Sequence, residues 1–480
     1  MPLIDGREIN LFLLFLVDYA FLYVIIMDRS VNMVFSSIIF LFYFLPITLI
    51  VNLLLPRRYR NAWLLLMSMV FYAWGEPKYL LIMIVNILLN YFLALMMEGK
   101  SPKTRKALLI ISILFSVGNL FAFKYAGLIS KTFAIDLPKL VLPLGISFYT
   151  FQTMSYTIDV YRKKVAAQKN LIDFSFYIVS FPQLIAGPIV KYTDIEDELK
   201  TRDDSLDAVY DGMMIFFQGL FLKVLLANNF GIVFNLVEFE AANSVAMLLI
   251  KIFAYAFQIY FDFQGYSLMA IGLGRALGFH FPKNFNHPYM AKSVTDFWTR
   301  WHMTLSSWFK EYVYIPLGGN RVKPLRHIFN LFGTWALTGL WHGANYNFIL
   351  WGLYYFLVLI IEKYILSKIF AKAPVFLKRI YTLAIVLVGW LIFIAEDFSI
   401  LGTFFDGLFN LPFTDIKAAT TILQYGSLFV LGFIFATDWP EKLYDKMRPW
   451  VRHILFLILF IISAAFIVSG SFNPFLYFRF

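Results

Sequence analysis

The chain of 480 residues contains no cysteine, which excludes disulfides, thiolate metal ligands, S-palmitoylation and any enzyme-bound thioester. A covalent acyl carrier within it would have to be an oxygen or nitrogen nucleophile. Charge is also scarce: 15% of residues are Asp, Glu, Lys or Arg against 60% hydrophobic, and no hydrophilic stretch is long enough for a separate soluble domain. With only six histidines, general-base chemistry near neutral pH has few candidates. There is no GxSxG elbow, no HExxH and no P-loop. Gly272-Leu273-Gly274-Arg275-Ala276-Leu277-Gly278 is not a dinucleotide fingerprint and follows no strand, so close helix packing accounts for it. Internal repeats, low-complexity tracts and inverted halves are all missing.

What is present is apolar sequence. Mean hydropathy is +0.71, and runs of about 20 residues recur from end to end. The expectation is an all-α, polytopic integral membrane protein with roughly ten or more spans. The 55 Phe, 28 Tyr and 11 Trp suit packing in lipid and interfacial belts. A formal charge of +11 would suggest nucleic acid in a soluble protein. Here many Lys and Arg occupy short loops between spans, so they read as orientation signals and no nucleic-acid partner is expected.

Three basic clusters, at 56–61, 98–106 and 162–169, fall on one face if 62–97 is a hairpin broken at Trp74-Gly75-Glu76-Pro77-Lys78, 107–123 crosses outward and 140–160 returns. The positive-inside rule makes that face cytoplasmic. Residues 171–190, with Pro182, Gly187 and Pro188, read as broken or re-entrant, which is tolerated at membrane depth only under cover of protein or a wet cavity. Residues 281–327, basic and interleaved with Trp298, Trp301 and Trp308, read as an interfacial or dipping segment.

His342, in Leu337-Thr338-Gly339-Leu340-Trp341-His342-Gly343-Ala344-Asn345, stands at the junction of two apolar runs. An ionisable residue there is a functional candidate. The alternative is a histidine that hydrogen-bonds a backbone carbonyl to hold a helix joint, and position alone does not separate the two. His302 follows Asp296-Phe297-Trp298-Thr299-Arg300-Trp301. A continuous helix would put Trp298, His302, Leu305 and Ser306 on one face, with a bland amphipathic interfacial helix as the other reading. Asp262 lies inside a long apolar run, where a carboxylate needs a partner. Arg275 or a cation of the 281–327 segment is expected, in a structural pair or in substrate binding.

These segments, with Met33-Val34-Phe35-Ser36-Ser37, Pro143 to Gln152, Phe181-Pro182-Gln183-Leu184-Ile185-Ala186-Gly187-Pro188-Ile189, Asp296 to Arg321 and the terminal Phe475-Leu476-Tyr477-Phe478-Arg479-Phe480, resemble the membrane-bound O-acyltransferase family, most closely its bacterial alginate O-acetyltransferase branch. The resemblance covers 33–480, as one transmembrane acyltransferase domain. Residues 1–32 form an extension carrying a further apolar run, 9–27, weakened by Asp18, and are expected to be dispensable for transfer.

The resemblance implies a ring of transmembrane helices around a central funnel, with interfacial and re-entrant helices. It implies that His342 is the family's intramembrane histidine and His302 its second, less constant one. His342 then acts as general base, with backbone amides beside Gly343, the Trp298 indole or Asn345 as oxyanion donors. The implied donor is a thioester such as acetyl-CoA, its phosphates met by Arg300, Lys310, Arg321, Lys323 and Arg326, although topology alone would also explain these cations. No metal and no bound cofactor are expected. The acyl group is expected to reach a separate extracytoplasmic serine-esterase-like partner for O-acetylation of a polysaccharide, in a bacterial cytoplasmic membrane. The branch serves different polymers, so alginate itself is not implied. Two other readings stay open: D-alanyl transfer to teichoic acid, and a transporter or flippase for a lipid-linked sugar.

Overall fold

The computed structural model describes residues 33–136, 140–185, 187–236 and 238–469. The 1–32 extension and the 475–480 motif lie outside them. All regular structure among the described residues is helical. The helices used below are α1 (Arg57–Gly75), α2 (Leu80–Met97), α3 (Pro102–Phe133), α4 (Ile146–Tyr161), α5 (Leu171–Val179), α6 (Leu206–Phe221), α7 (Val245–Ala276), α8 (Val294–Trp298), α9 (Met303–Phe309), α10 (Pro324–His342), α11 (Tyr346–Ile361), α12 (Val375–Ile394), α13 (Ile416–Phe435) and α14 (Pro449–Val468).

Eight helices among the described residues are long and apolar enough to span a bilayer, fewer than the roughly ten read from the sequence. The apolar runs of α4 and α10 form helices too short or too polar to count. Burial orders the spans. The most apolar stretch of α7 is 78% buried and that of α14 only 11%, so α7 is the central stave and α14 faces lipid.

Local signals start the helices where capping chemistry predicts. Ser101 accepts from the Thr104 N–H ahead of Pro102 in α3, and Ser244 from the Met247 N–H in α7. Glycine sets the closest contact. A Cβ on Gly212 would lie 2.5 Å from the Gly272 carbonyl oxygen, and one on Gly219 2.4 Å from that of Gly265, so α6 and α7 touch backbone to backbone.

The basic clusters do gather at one end. Arg60 pairs with Asp204 at 2.5 Å, Arg105 donates to the carbonyls of Val160 and Tyr161 at 2.9 and 2.5 Å, and Lys164 and Lys191 both grip Glu311, at 2.8 and 2.9 Å. At the opposite end Glu76 accepts from the Leu144 N–H at 2.6 Å and Ser244 donates to Asp415 at 2.8 Å.

The broken segment at 171–190 folds as α5, one further helical turn (Phe181–Leu184) and extended chain, and its described residues from Phe174 through Val190 are buried, as a re-entrant stretch must be. The 281–327 segment buries Phe285, Phe297, Trp301 and His302 in its first half while exposing Lys283, Lys292 and Thr299, and in its second half Glu311 meets the basic end.

Candidate active site

Residues 294–309 are not one helix. His302 adopts a left-handed backbone, φ 45°, which separates α8 from α9 and removes the shared face expected for Trp298, His302 and Leu305. The conformation is costly for a non-glycine residue, and Asn284 holds it in place. Its carbonyl accepts from the Met303 N–H at 2.9 Å, and its Oδ1 accepts from the Thr304 hydroxyl at 2.9 Å and the Thr304 N–H at 3.4 Å. Asn284 Nδ2 donates to the Ser267 hydroxyl at 3.0 Å, which fixes the amide's orientation. His302 Nδ1, 2.9 Å from Asn284 Oδ1, therefore carries the proton, and the basic lone pair is on Nε2.

His342 is the last residue of α10 and only 6% exposed. Trp351, Trp341 and Phe393 meet its ring nearly edge-on, with centroids at 4.8, 5.0 and 5.4 Å. Trp341 touches both histidines, its ring 5.0 Å from that of His342 and 6.1 Å from that of His302. Stacked on Trp341 is Phe151 of α4 at 5.5 Å, which itself stacks on Trp308 at 3.9 Å. The imidazoles are thus set against an aromatic wall.

A cavity of about 80 Å³ opens beside His342, lined also by Lys124, Ser147, Trp341 and the turn at Leu142–Gly145. The Leu144 contact with Glu76 places this turn at the end away from the basic clusters. Lys124 escaped the sequence reading, in which the span that begins at residue 107 ends at 123. The helix continues to Phe133, and its ammonium group donates to the Trp341 carbonyl. A lone lysine within an otherwise apolar run was the available signal.

Trp298 packs against Tyr355, Trp335 and Trp351 at 4.8, 5.1 and 5.4 Å. The indole N–H groups of Trp298 and Trp351 are buried with no acceptor among the described residues, so both can donate to a bound oxygen. Trp351 is a second residue that sequence reading missed, hidden among the many aromatics of its run.

Other expected residues are engaged elsewhere. Asp262 pairs with Lys223 at 2.5 Å, both nearly fully buried, and not with Arg275 or the 281–327 segment. Arg275 is thirteen residues further along α7, about 20 Å at 1.5 Å per residue, and pairs with Asp203 at 3.3 Å. Lys223 lies in a π-helical stretch, Leu222–Ala227. Asn345 caps α11 by accepting from the Tyr346 N–H at 2.9 Å. Arg300 is tied to Asp296 at 2.7 Å, while Lys310 and Arg321 are exposed at the basic end. Among the described residues no group of His, Asp or Glu is arranged to hold a metal.

An all-helical membrane body with two histidines buried around one indole suits proton transfer away from bulk water. Residues 106–404 match the model of MBOAT, the membrane-bound O-acyltransferase family. A probable alginate O-acetylase of Pseudomonas putida is 36% identical over 93% of this chain and 100% of its own length. A peptidoglycan O-acetyltransferase of Helicobacter pylori is 31% identical over 94% of this chain and 98% of its own. A teichoic acid D-alanyltransferase of Bacillus subtilis is 32% identical over 44% of this chain and 56% of its own. The chain belongs to the membrane-bound O-acyltransferase family. It is a multi-pass membrane O-acyltransferase.

Proposed function

We propose that the protein takes an acetyl group from acetyl-CoA at the cytoplasmic, basic end and passes it outward for O-acetylation of an extracytoplasmic polysaccharide, in a bacterial cytoplasmic membrane. The observation that carries this reading is that His342 borders a cavity at the end opposite the basic clusters, so a buried base is within reach of an acceptor from outside. Full-length similarity to O-acetyltransferases named for alginate and peptidoglycan supports acetyl as the cargo. Similarity to the D-alanyltransferase covers less than half of the chain.

In the step we assign to this site, His342 takes the proton of an acceptor hydroxyl as its oxygen attacks the thioester carbonyl carbon. The C–S bond then breaks, the imidazolium returns the proton to the leaving thiolate, and an ester and a free thiol result. His302, oriented by Asn284, and the indole N–H groups of Trp298 and Trp351 supply polar contacts as charge develops. Arg300, Lys310 and Arg321, with Lys323 and Arg326, attract the donor's phosphates. Asp262 acts through its pair with Lys223, and Asn345 through the start of α11. The first acceptor is a hydroxyl of an extracytoplasmic, serine-esterase-like partner, which delivers the group to the polymer.

The test uses the purified chain in nanodiscs with acetyl-labelled acetyl-CoA and a serine-esterase-like protein encoded beside it. Label on the partner's serine supports the reading. No transfer from acetyl-CoA, with transfer of D-alanine from a charged carrier protein, replaces it with the D-alanyl reading.

A further inference from the structure

α3 and α10 meet at the carboxyl end of α10. A helix leaves its last carbonyls without backbone donors, and here those of Leu340 and Trp341 accept from two adjacent side chains of α3, the Tyr125 hydroxyl and the Lys124 ammonium. The helix end so tied carries His342.

Capping explains the tyrosine but not the lysine. A neutral donor would bind the Trp341 carbonyl equally well, whereas a half-buried lysine in a membrane helix gives up part of its hydration. Among the described residues no carboxylate pairs with Lys124. Its contacts are the Trp341 carbonyl, the Trp341 ring at 5.6 Å and the Ser147 hydroxyl at 3.5 Å. It lines the same cavity as His342. A lysine with no carboxylate partner among the described residues, beside a base in one small cavity, is placed to stabilise negative charge that exists only during reaction.

We infer that Lys124 is a further catalytic residue, its ammonium group stabilising the oxyanion formed on the acyl carbonyl when the acceptor oxygen attacks beside His342. This rests on the acyl-transfer reading above. The oxyanion charge returns to the C=O bond as the C–S bond breaks, so the lysine neither gains nor loses a proton. It binds the transition state more strongly than either substrate, and its loss should appear in kcat and not in KM.

Wild-type turnover is measured first, and its absence counts against the function and not against Lys124. Lys124→Gln keeps an N–H donor for the Trp341 carbonyl and removes the charge. Its kcat should fall roughly 10²–10³-fold with KM for donor and acceptor little changed, while Tyr125→Phe, which loses only a cap, should stay within about tenfold of wild type. Near-normal kcat in Lys124→Gln overturns the proposal. Because the chain has no cysteine, Lys124→Cys gives an independent arm. Labelling with aminoethyl methanethiosulfonate restores an ammonium group and should recover activity, whereas the neutral propyl reagent should not. Complete labelling by mass, with equal recovery or no recovery from both reagents, also overturns it.

Discussion

Asn284 decides which nitrogen of His302 is basic. Its Oδ1 accepts from the Thr304 N–H, 3.4 Å away, and so can only accept from His302 Nδ1 at 2.9 Å. This is the arrangement by which a neighbouring amide or carboxylate sets an imidazole's tautomer. Asn284→Ala should lower acyl transfer to about the level of His302→Ala, and the double substitution should be no worse than either single one. Additive losses in purified, monodisperse protein would mean that Asn284 acts on something other than the histidine.

The two histidines should differ in weight. His342 borders the cavity, whereas His302 is not among the residues that line it. His342→Ala should cost roughly 10²–10⁴ in rate, the usual value of general-base catalysis, with donor binding retained. His302→Ala should be milder. Single-turnover transfer at saturating donor compares them, and an inert His302→Ala beside an active His342→Ala would reverse the roles.

The Lys223–Asp262 pair, 2.5 Å apart and buried between the Leu222–Ala227 stretch and α7, predicts non-additive stability. Removing one partner strands a charge and should destabilise by about 3–5 kcal/mol. The combined Lys223→Met and Asp262→Leu should recover most of that loss. Thermal unfolding in detergent reads the cycle. Recovery of activity in the double variant would show that Asp262 holds the helices and does not bind substrate.

Glu311 makes stability depend on pH. Burial pushes its carboxyl up, but hydrogen bonds from Lys164 and Lys191 outweigh burial and hold it below the usual carboxylate range. With the folded value depressed, the stabilisation is full above the unfolded value, about 4.3, and is lost as pH falls through the folded value. Glu311→Gln should therefore unfold at lower temperature than wild type at pH 7, and the gap should close as the medium is acidified below about pH 4.

The sidedness of the basic end is open to labelling, since any introduced thiol is the chain's only one. Lys103→Cys and Lys323→Cys, both at exposed positions, should resist an impermeant external thiol reagent in intact cells and react once the membrane is opened. Labelling of either in intact cells would place the basic end outside.

Much of this was legible in the residues. Hydropathy and the three basic clusters located the spans and grouped the loops, because lipid forces long apolar runs and short loops carry the orientation charge. His342 and His302 stood out because ionisable groups are rare in such sequence. What escaped depends on contacts between distant segments. Nothing near Asp262 names Lys223 as its partner, because the pairing arises from the packing of α7 on a π-helical stretch 39 residues earlier. The break at His302 was invisible because the pattern around it suits a helix, and Asn284, 18 residues away, holds the break. Lys124 was set aside as a loop residue because it follows the last hydrophobic residue of an apparent span, whereas the helix runs on to Phe133.

The glycine contacts of α6 with α7 bear on how cargo crosses. Where Gly212 meets Gly272 and Gly219 meets Gly265, the backbones touch with no side chain between them. A shift of either helix by one residue, about 1.5 Å, would drive a neighbouring Cβ into the facing main chain, so the two staves are keyed in a single register. The two helices therefore move as one body, and any rocking of the kind a carrier uses would have to fall at another seam of the protein.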